Sequence, residues 1–505
     1  MSPIKRRTFL KTTALGVAAT ALSARSWAQV AGANSDVRVA VIGLNGRGRD
    51  HLRSLRAVPG VRIVAICDVD TLVLERTATD LATHGLAPEK FTDVRKLFAM
   101  PGLDAITIAT PNHWHSLCAI WACQAGIDAF VEKPVSHNVW EGRQLVAAAA
   151  KYKRVVQPGT QVRSGEGLID AVAWVRAGNI GKITASRGFC YKRRDSIGLA
   201  PGPVPVPTTI DYDLWSGPAP IIPPHRNTQK NGPVHYDWHW IWAYGNGDVG
   251  NQGIHQMDVA RWFLGESGLP RHTLSIGGRL GYEDDGETPN TQVIVHDYAA
   301  APLIFEVRGL PAKRGESGVD TTGMNSAEAA AAASGSMDKY RGVSIGNVID
   351  CEGGRIITSD YFTAEAFDLD GKLIRAFKGE DRLMANFIDV VRSRKVADLF
   401  GSIEDGHISS ALCHLGNISH QLGRVAAPGE VADAIKGDSP LAEAHGRMVE
   451  HLAANDVDLA KTPLTLGVPL AIDSRTERFT CTGAAAANAL LTRDYREPFV
   501  VPQLA

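Results

Sequence analysis

Residues 37–68, VRVAVIGLNGRGRDHLRSLRAVPGVRIVAICD, decide the fold. Val37–Ile42 is a short, β-rich apolar run of the kind that forms a buried strand. It runs into Gly43-Leu-Asn-Gly-Arg-Gly48, then a helical stretch through Leu55, then a second strand at Val61–Ile66 ending in Cys67-Asp68. Strand, glycine turn, helix and strand in that order form the layout of a dinucleotide-binding unit. Gly43 permits the tight turn and Gly48 permits close helix packing. The helix N-terminus, with Gly46 beside it, offers unpaired N–H groups to a pyrophosphate. Asn45 stands where the second fingerprint glycine is expected, and Asn tolerates positive φ better than most residues. Arg47 either lies over the phosphates or faces solvent. Asp68 follows Gly43 by 25 residues, near the spacing of the acid that binds a ribose 2′-hydroxyl. A carboxylate there repels a 2′-phosphate and favours NAD over NADP.

Further strands are expected at Ala105–Ala109 and Ala129–Val131. Each ends in polar groups, Thr110-Pro-Asn-His-Trp-His115 and Glu132-Lys-Pro134. Ligands of open parallel sheets bind beyond the C-terminal strand ends. Thr110, Pro111, Asn112, His115 and Glu132 therefore join Gly43, Asn45, Gly46, Arg47, Gly48 and Asp68 as expected cofactor-binding residues. Lys133 on this edge is either a solvated surface lysine or an acid/base group, its pKa pressed down beside a cationic nicotinamide.

The motifs VAVIGLNGRG (39–48), CD (67–68), ATPNHWH (109–115), VEKP (131–134) and GNQGIHQMDVARWFLG (250–265) resemble those of the Gfo/Idh/MocA oxidoreductase family. The resemblance covers about residues 36–430. It implies an α/β Rossmann domain followed by an α+β domain with a large, mostly antiparallel open sheet, with NAD(P) at their junction. It implies that Lys133, in the family's EKP motif, serves the substrate hydroxyl, and that His255 is the family's histidine acid/base. Many members carry Asp four residues before that histidine; here Asn251 stands there, able to hydrogen-bond but unable to take a proton. The expected domains are a Rossmann domain over 36–160, a substrate domain over 161–430 and an extension over 431–505.

The whole chain of 505 residues is 44% apolar and 21% charged, with a formal net charge of −1. That excludes a disordered chain and argues against a nucleic-acid binder. The near-neutral total conceals a division. Residues 1–28 carry Lys5, Arg6, Arg7, Lys11 and Arg25, no acid, an uncharged run over Thr12–Ala24 and small residues before a cleavage point at Ala28. This is the order of a secretory leader. KRRTFLK resembles the twin-arginine export signal, with Lys5 in place of the usual Ser or Thr. Subtracting the five leader cations from 53 basic residues leaves 48 against 54 acidic ones, or −6. The expected location is periplasmic or secreted, after folded export by the twin-arginine machinery. No run is long enough for a stable membrane anchor. Seven cysteines without C-x-x-C form neither a disulfide framework nor a zinc ribbon.

In the second half, Leu168–Gly178 is an expected helix and 183–191 a strand. Residues 192–249 are rich in Pro, Gly and aromatics, including His235-Tyr-Asp-Trp-His-Trp-Ile-Trp242. Ring faces there suit sugar C–H groups, with Tyr236 and His239 as expected substrate contacts; a satellite core uses the same residues. His235 and His239 lack a metal-binding pattern, and no metal is expected. Asn251–Leu264 is an expected helix stopped by Gly265. Asn251, His255 and Asp258 share one of its faces, so Asn251 and Asp258 are expected substrate contacts, or Asp258 orients His255. His407, His414 and His420 match no ligand spacing and are expected to be structural. Residues 325–336 are low in complexity, and the tail beyond 431 is expected to be a helical extension.

The expected activity is NAD(P)-dependent oxidation or reduction of a sugar or polyol hydroxyl with tightly held cofactor, since an exported enzyme meets little free NAD. One alternative is redox-neutral glycoside hydrolysis or elimination, and another is a non-catalytic sugar sensor. A homo-oligomer is expected from the exposed sheet face the resemblance implies.

Overall fold

The computed structural model describes residues 36–226, 232–315 and 336–505. The expected export leader and nearly all of the run 325–336 lie outside the described residues. Among the described residues no helix is long and apolar enough to cross a membrane.

Six parallel strands form the first sheet: β1 (Val37–Ile42), β2 (Val61–Cys67), β3 (Glu89–Phe91), β4 (Ala105–Ile108), β5 (Asp128–Val131) and β6 (Val156–Pro158). Their order is β3-β2-β1-β4-β5-β6, the doubly wound arrangement. β1, β4 and β5 are apolar on both faces because helices cover both sides of the sheet. Register aligns Ile42 with Cys67 and with Ile108, and Ile108 with Val131. The three strand ends and the polar segments that follow them thus emerge along one edge.

The second sheet comprises β7 (Ile183–Tyr191), β8 (His272–Gly278), β9 (Thr291–Asp297), β10 (Leu303–Arg308), β11 (Ile345–Cys351), β12 (Gly354–Thr358), β13 (Ala364–Phe367), β14 (Leu373–Phe377), β15 (Arg424–Ala426), β16 (Leu464–Leu466), β17 (Leu470–Asp473) and β18 (Arg478–Phe479). Its main path runs β14-β13-β12-β11-β7-β10-β9-β8-β16-β15, with β17 also paired to β8. Only β7–β10 is parallel; the other ladders are antiparallel. This is the expected fold class.

Strand alternation gives the second sheet two cores. Ile294, Leu303 and Phe305 pack with Met257 and Leu412 on one side. Val293, Val295 and Ile304 pack with Leu441, Met448 and Leu452 on the other. The latter three belong to the helix Ser439–Ala454, within the segment expected to be a peripheral extension. That segment packs into the second sheet: its helix covers part of one face of β8–β10, and β16 and β17 add to the sheet. The tail then returns to the first domain, where Phe499 and Val501 enter the core containing Trp114 and Leu117. Arg493 pairs with buried Glu141, and the Leu504 and Ala505 amides donate to Gln144.

A further helix, Leu383–Ser393, packs Phe387 against Phe130 of β5 and sends Arg392 to the Pro59 and Gly60 carbonyls. Burying aromatic pairs of this size anchors the two domains to each other.

Candidate functional site

The edge left by β1, β2, β4 and β5 opens into a cleft of about 660 Å³. Gly43–Arg47, Asp68, Thr110–Asn112, His115, Glu132 and Lys133 line it from the first domain. Tyr236, Trp238, His239 and Asn251 line it from the second. All eleven expected cofactor residues except Gly48 face this cleft, and Gly48 acts from beneath.

The glycine turn explains itself sterically. Gly43 has φ +81°, and a Cβ there would lie 2.6 Å from the Ala109 carbonyl oxygen. A Cβ at Gly48 would lie 1.8 Å from the Gly43 carbonyl oxygen, so the helix Arg47–Ala57 can seat on the turn only with glycine there. The positive-φ position between them is Gly46 (φ +112°), not Asn45. The tolerance of Asn for that conformation is therefore not used. Asn45 instead accepts from Arg76. No side chain caps the helix start at Gly46.

Asp68 accepts the Leu44 amide at 2.7 Å and the Asp70 amide at 3.0 Å. It fixes the glycine turn against the end of β2, and burial pushes its carboxyl pKa up despite those bonds. Glu132 is 4% exposed and accepts from Arg47 Nε (2.8 Å) and Gln161 (3.2 Å), with His51 Nε2 at 3.1 Å. Although burial disfavours its charge, Arg47 and His51 hold it well below the usual carboxylate range. Arg47 thus spans the cleft floor to Glu132 rather than facing only solvent. His115 sits between the Thr110 carbonyl (2.8 Å) and the Pro134 carbonyl (2.6 Å), tying two cleft loops together. Asn112 donates to Asn246 of the second domain.

Lys133 is held inside. Its Nζ donates to the Asn251 main-chain carbonyl at 2.6 Å. Burial, aided by Arg47, Lys192 and Arg194 and opposed by Glu132, lowers its pKa to about 8. Asn251 lies in a wide π-helical turn, Val249–Gly253, that precedes the α-helix Ile254–Leu264. The expected helix 251–264 thus begins with an irregular turn, a feature that recurs at functional sites. His255 follows on the first α-turn, 3% exposed, its ring against Tyr361 at 5.0 Å. Its Nδ1 is buried without a hydrogen-bond partner, and burial, then Lys133, hold its pKa well below 6.5. The site therefore offers a neutral imidazole beside an amine that titrates near neutrality.

Asp258 behaves differently from its expected role. It is 1% exposed and accepts from Arg163 Nε and Nη2 (2.9–3.0 Å) and from Ser409 (2.6 Å), with Arg261 at 3.7 Å. The helix is buried nearly all round, so sharing a face with His255 does not bring Asp258 to the cleft. Its carboxylate neutralises Arg163 within the protein.

The aromatic segment both lines the cleft and builds a satellite core. Tyr236 (φ +60°) and Trp238–His239 wall the cleft, His239 stacked on Trp238 with Nδ1 at 2.5 Å from the Tyr236 carbonyl. Behind them Trp215, Trp240 and Tyr244 form a satellite core. His235 pairs with Asp70 at 2.9 Å. His407 pairs with Glu477 and His414 with Ser136. The seven cysteines are free, six of them buried.

Residues 37–160 match the model "Oxidoreductase family, NAD-binding Rossmann fold", and 168–283 match its "C-terminal alpha/beta domain". In these two stretches, just under half of its length, the chain is similar to the Gfo/Idh/MocA oxidoreductase family. A Glycosyl hydrolase family 109 protein 2 of Shewanella sp. (strain ANA-3) is 32% identical over 205 residues, 36% of this chain and 45% of that protein. Inositol 2-dehydrogenase 1 of Saccharopolyspora erythraea is 32% identical over 151 residues, 29% of this chain and 43% of its own. The matches thus span less than half the length of these relatives. Levoglucosan dehydrogenase, solved with NADH and levoglucosan, superposes with TM-score 0.53 at 17% identity, covering 75% of this chain and 96% of that one. The WlbA dehydrogenase of Bordetella pertussis, solved with NADH and UDP-GlcNAcA, gives TM-score 0.51 at 17% identity over 75% and 94%. These two share the fold.

Several residues beside this site escaped sequence reasoning. Lys192 and Arg194 just after β7, Asp248 just before the π-turn and Tyr361 after β12 approach it through Gln252 and Tyr236, and no local spacing links them to Lys133.

Proposed function

We propose that the protein is an NAD-dependent oxidoreductase acting on a hydroxyl of a sugar or polyol. The observation that carries this reading is Lys133, buried at the end of β5, held by the Asn251 carbonyl and titrating near 8 in the same cleft as the glycine turn. The cleft suits the cofactor: a turn closed to any Cβ at Gly43 and Gly48, an uncapped helix start and a carboxylate at the end of β2. Gly43–Arg47, Asp68, Thr110–Asn112 and Glu132 would hold it. When bound, NAD supplies the hydride acceptor for the carbinol carbon.

The chain's own residues supply the rest. The Asn251 carbonyl fixes the Lys133 amine on one side, leaving its lone pair or remaining protons for a substrate hydroxyl. In oxidation the neutral amine takes the hydroxyl proton; in reduction the ammonium returns it. His255, kept neutral by burial, offers Nδ1 to the same hydroxyl or its neighbour. Asn251, Tyr236 and His239 orient the ring, and Trp238 and Trp215 exclude water from the wall.

The leader supports folded export to the periplasm with cofactor already bound, and retention of that cofactor through turnover. Purified protein is to be tested for bound nucleotide and for cofactor reduction across sugars and polyols, with Lys133→Ala and His255→Ala in parallel. Nucleotide-free protein with weak NAD affinity, or full turnover in both variants, overturns the reading. A second reading, redox-neutral glycoside hydrolysis, is favoured by the similarity to family 109 glycosyl hydrolases. Release of a reducing sugar without accumulation of NADH selects it.

A further inference from the structure

Around Lys133 and His255 cations outnumber carboxylates, with Lys133, Lys192, Arg47 and Arg194 against Glu132 and Asp248. Lys192, the residue after β7, donates from Nζ to the neutral Gln252 Oε1 at 3.3 Å and has no acidic ion-pair partner among the described residues. Gln252 sits in the same π-turn as Asn251 and donates to the Tyr361 hydroxyl at 2.8 Å, and Tyr361 packs on His255. Lys192 is thus joined to the candidate catalytic histidine through two side chains. It is close enough to act electrostatically on both Lys133 and His255.

The neighbouring charges are already committed. Arg194 places two nitrogens on Asp248 (2.5 and 2.7 Å) and a third on the Tyr236 hydroxyl at 3.0 Å, at the cleft wall. Arg47 faces Glu132. Asp258 belongs to Arg163. Position 251, in the turn that holds Lys133, is a neutral Asn. Lys192 and Lys133 therefore remain as two amines without a paired carboxylate, both largely withdrawn from solvent. Burial pushes the Lys192 pKa down, so an anion bound at this amine would gain by favouring its charged form.

We infer that the substrate is an acidic sugar, with a carboxylate bound at Lys192 while its reacting hydroxyl lies at Lys133 and His255. This rests on the oxidoreductase reading for the hydroxyl, but the anion site stands on the Lys192 geometry alone. The Tyr236 hydroxyl, fixed by Arg194, supplies a second polar group on that wall. An ammonium can approach one carboxylate oxygen from several directions, consistent with recognition by charge rather than by a planar fork.

The test uses the full protein with bound NAD and matched probes: glucose with glucuronate, galactose with galacturonate, and glucose 6-phosphate. Binding is measured by calorimetry and turnover by cofactor reduction, for wild type and Lys192→Met, which keeps the apolar stem and removes the charge. The expected result is tighter binding of the acid member of a pair. Lys192→Met should cut the preference for the acid over its neutral partner, read as the ratio of their Kd values, by about 10- to 100-fold. Lys192-dependent acid binding without hydride transfer upholds the anion site and overturns the oxidoreductase reading. Turnover of neutral sugars with no acid binding upholds that reading and overturns the inference. Acid binding unchanged in Lys192→Met, or preference for the phosphate ester alone, also overturns it. Lys192→Arg keeps the charge and should restore most of the acid preference.

Discussion

Lys133 gives a prediction in which function and stability oppose each other. Burial outweighs the attraction of Glu132 and lowers its pKa from 10.5 to about 8. At about 1.36 kcal/mol per pH unit, holding the ammonium in the folded state costs roughly 3 kcal/mol at pH 7 relative to the unfolded chain. Lys133→Met removes that penalty and keeps the stem. It also leaves the Asn251 carbonyl without its 2.6 Å donor, a loss of about 1 kcal/mol. The variant should therefore be more stable than wild type by about 2 kcal/mol at pH 7 while losing turnover. The pH dependence has a definite sign. Because the folded pKa lies below the unfolded one, the unfolded chain binds the extra proton between about 8 and 10.5. Wild-type stability contributed by Lys133 then rises with pH across that window, and the advantage of the variant shrinks to about 1 kcal/mol at pH 9. Urea unfolding of both proteins at the two pH values measures this. A variant less stable than wild type at pH 7, or an advantage that grows with pH, would refute the account of a buried, strained ammonium.

Other consequences are equally direct. In the oxidative direction kcat/KM should rise as pH passes through about 8 and in the reductive direction fall, because opposite protonation states of Lys133 are required; pH–rate profiles in both directions check this. Gly48→Ala, whose Cβ meets the Gly43 carbonyl oxygen at 1.8 Å, should weaken NAD binding more than tenfold by titration. Gly46→Ala, with nothing within 4 Å, should cost only the roughly 1–2 kcal/mol of its positive φ. Asp258→Ala leaves buried Arg163 with only the longer pair to Asp405 at 3.4 Å and should lower stability by up to about 3–5 kcal/mol in denaturant melts, an effect on folding rather than on substrate contact. Phe499→Ala, opening the first-domain core from the far end of the chain, should cost about 3–5 kcal/mol and free the tail to proteolysis.

How much the sequence revealed depends on how local the governing physics is. The dinucleotide turn was legible because its constraint is a contact between residues five apart, Gly43 and Gly48, and because largely apolar strands flank it. Asn45 misled only about which residue takes positive φ, since a pattern does not say that the turn is carried by Gly46. The helix bearing His255 was legible from its period, yet its first turn widened into a π-helix. The shared face of His255 and Asp258 proved a poor guide, because a helix buried on every side has no single functional face. Asp258 was claimed by Arg163, 95 residues away.

By itself, the sequence determined the two-domain class, the strand ends that carry Lys133 and Glu132, and the contrast between a basic first 28 residues and an acidic remainder. Tertiary structure alone decided which charges are spent and which remain. It paired Arg194 with Asp248 and Arg47 with Glu132, and among the described residues left Lys192 with a neutral amide oxygen rather than a carboxylate. It also turned the last 75 residues from an appendage into a sheet edge, a covering helix and a strap on the first domain. The reason is physical: helix period and turn sterics act over a few residues, whereas the balance of buried charge depends on groups that only folding brings within a few ångströms.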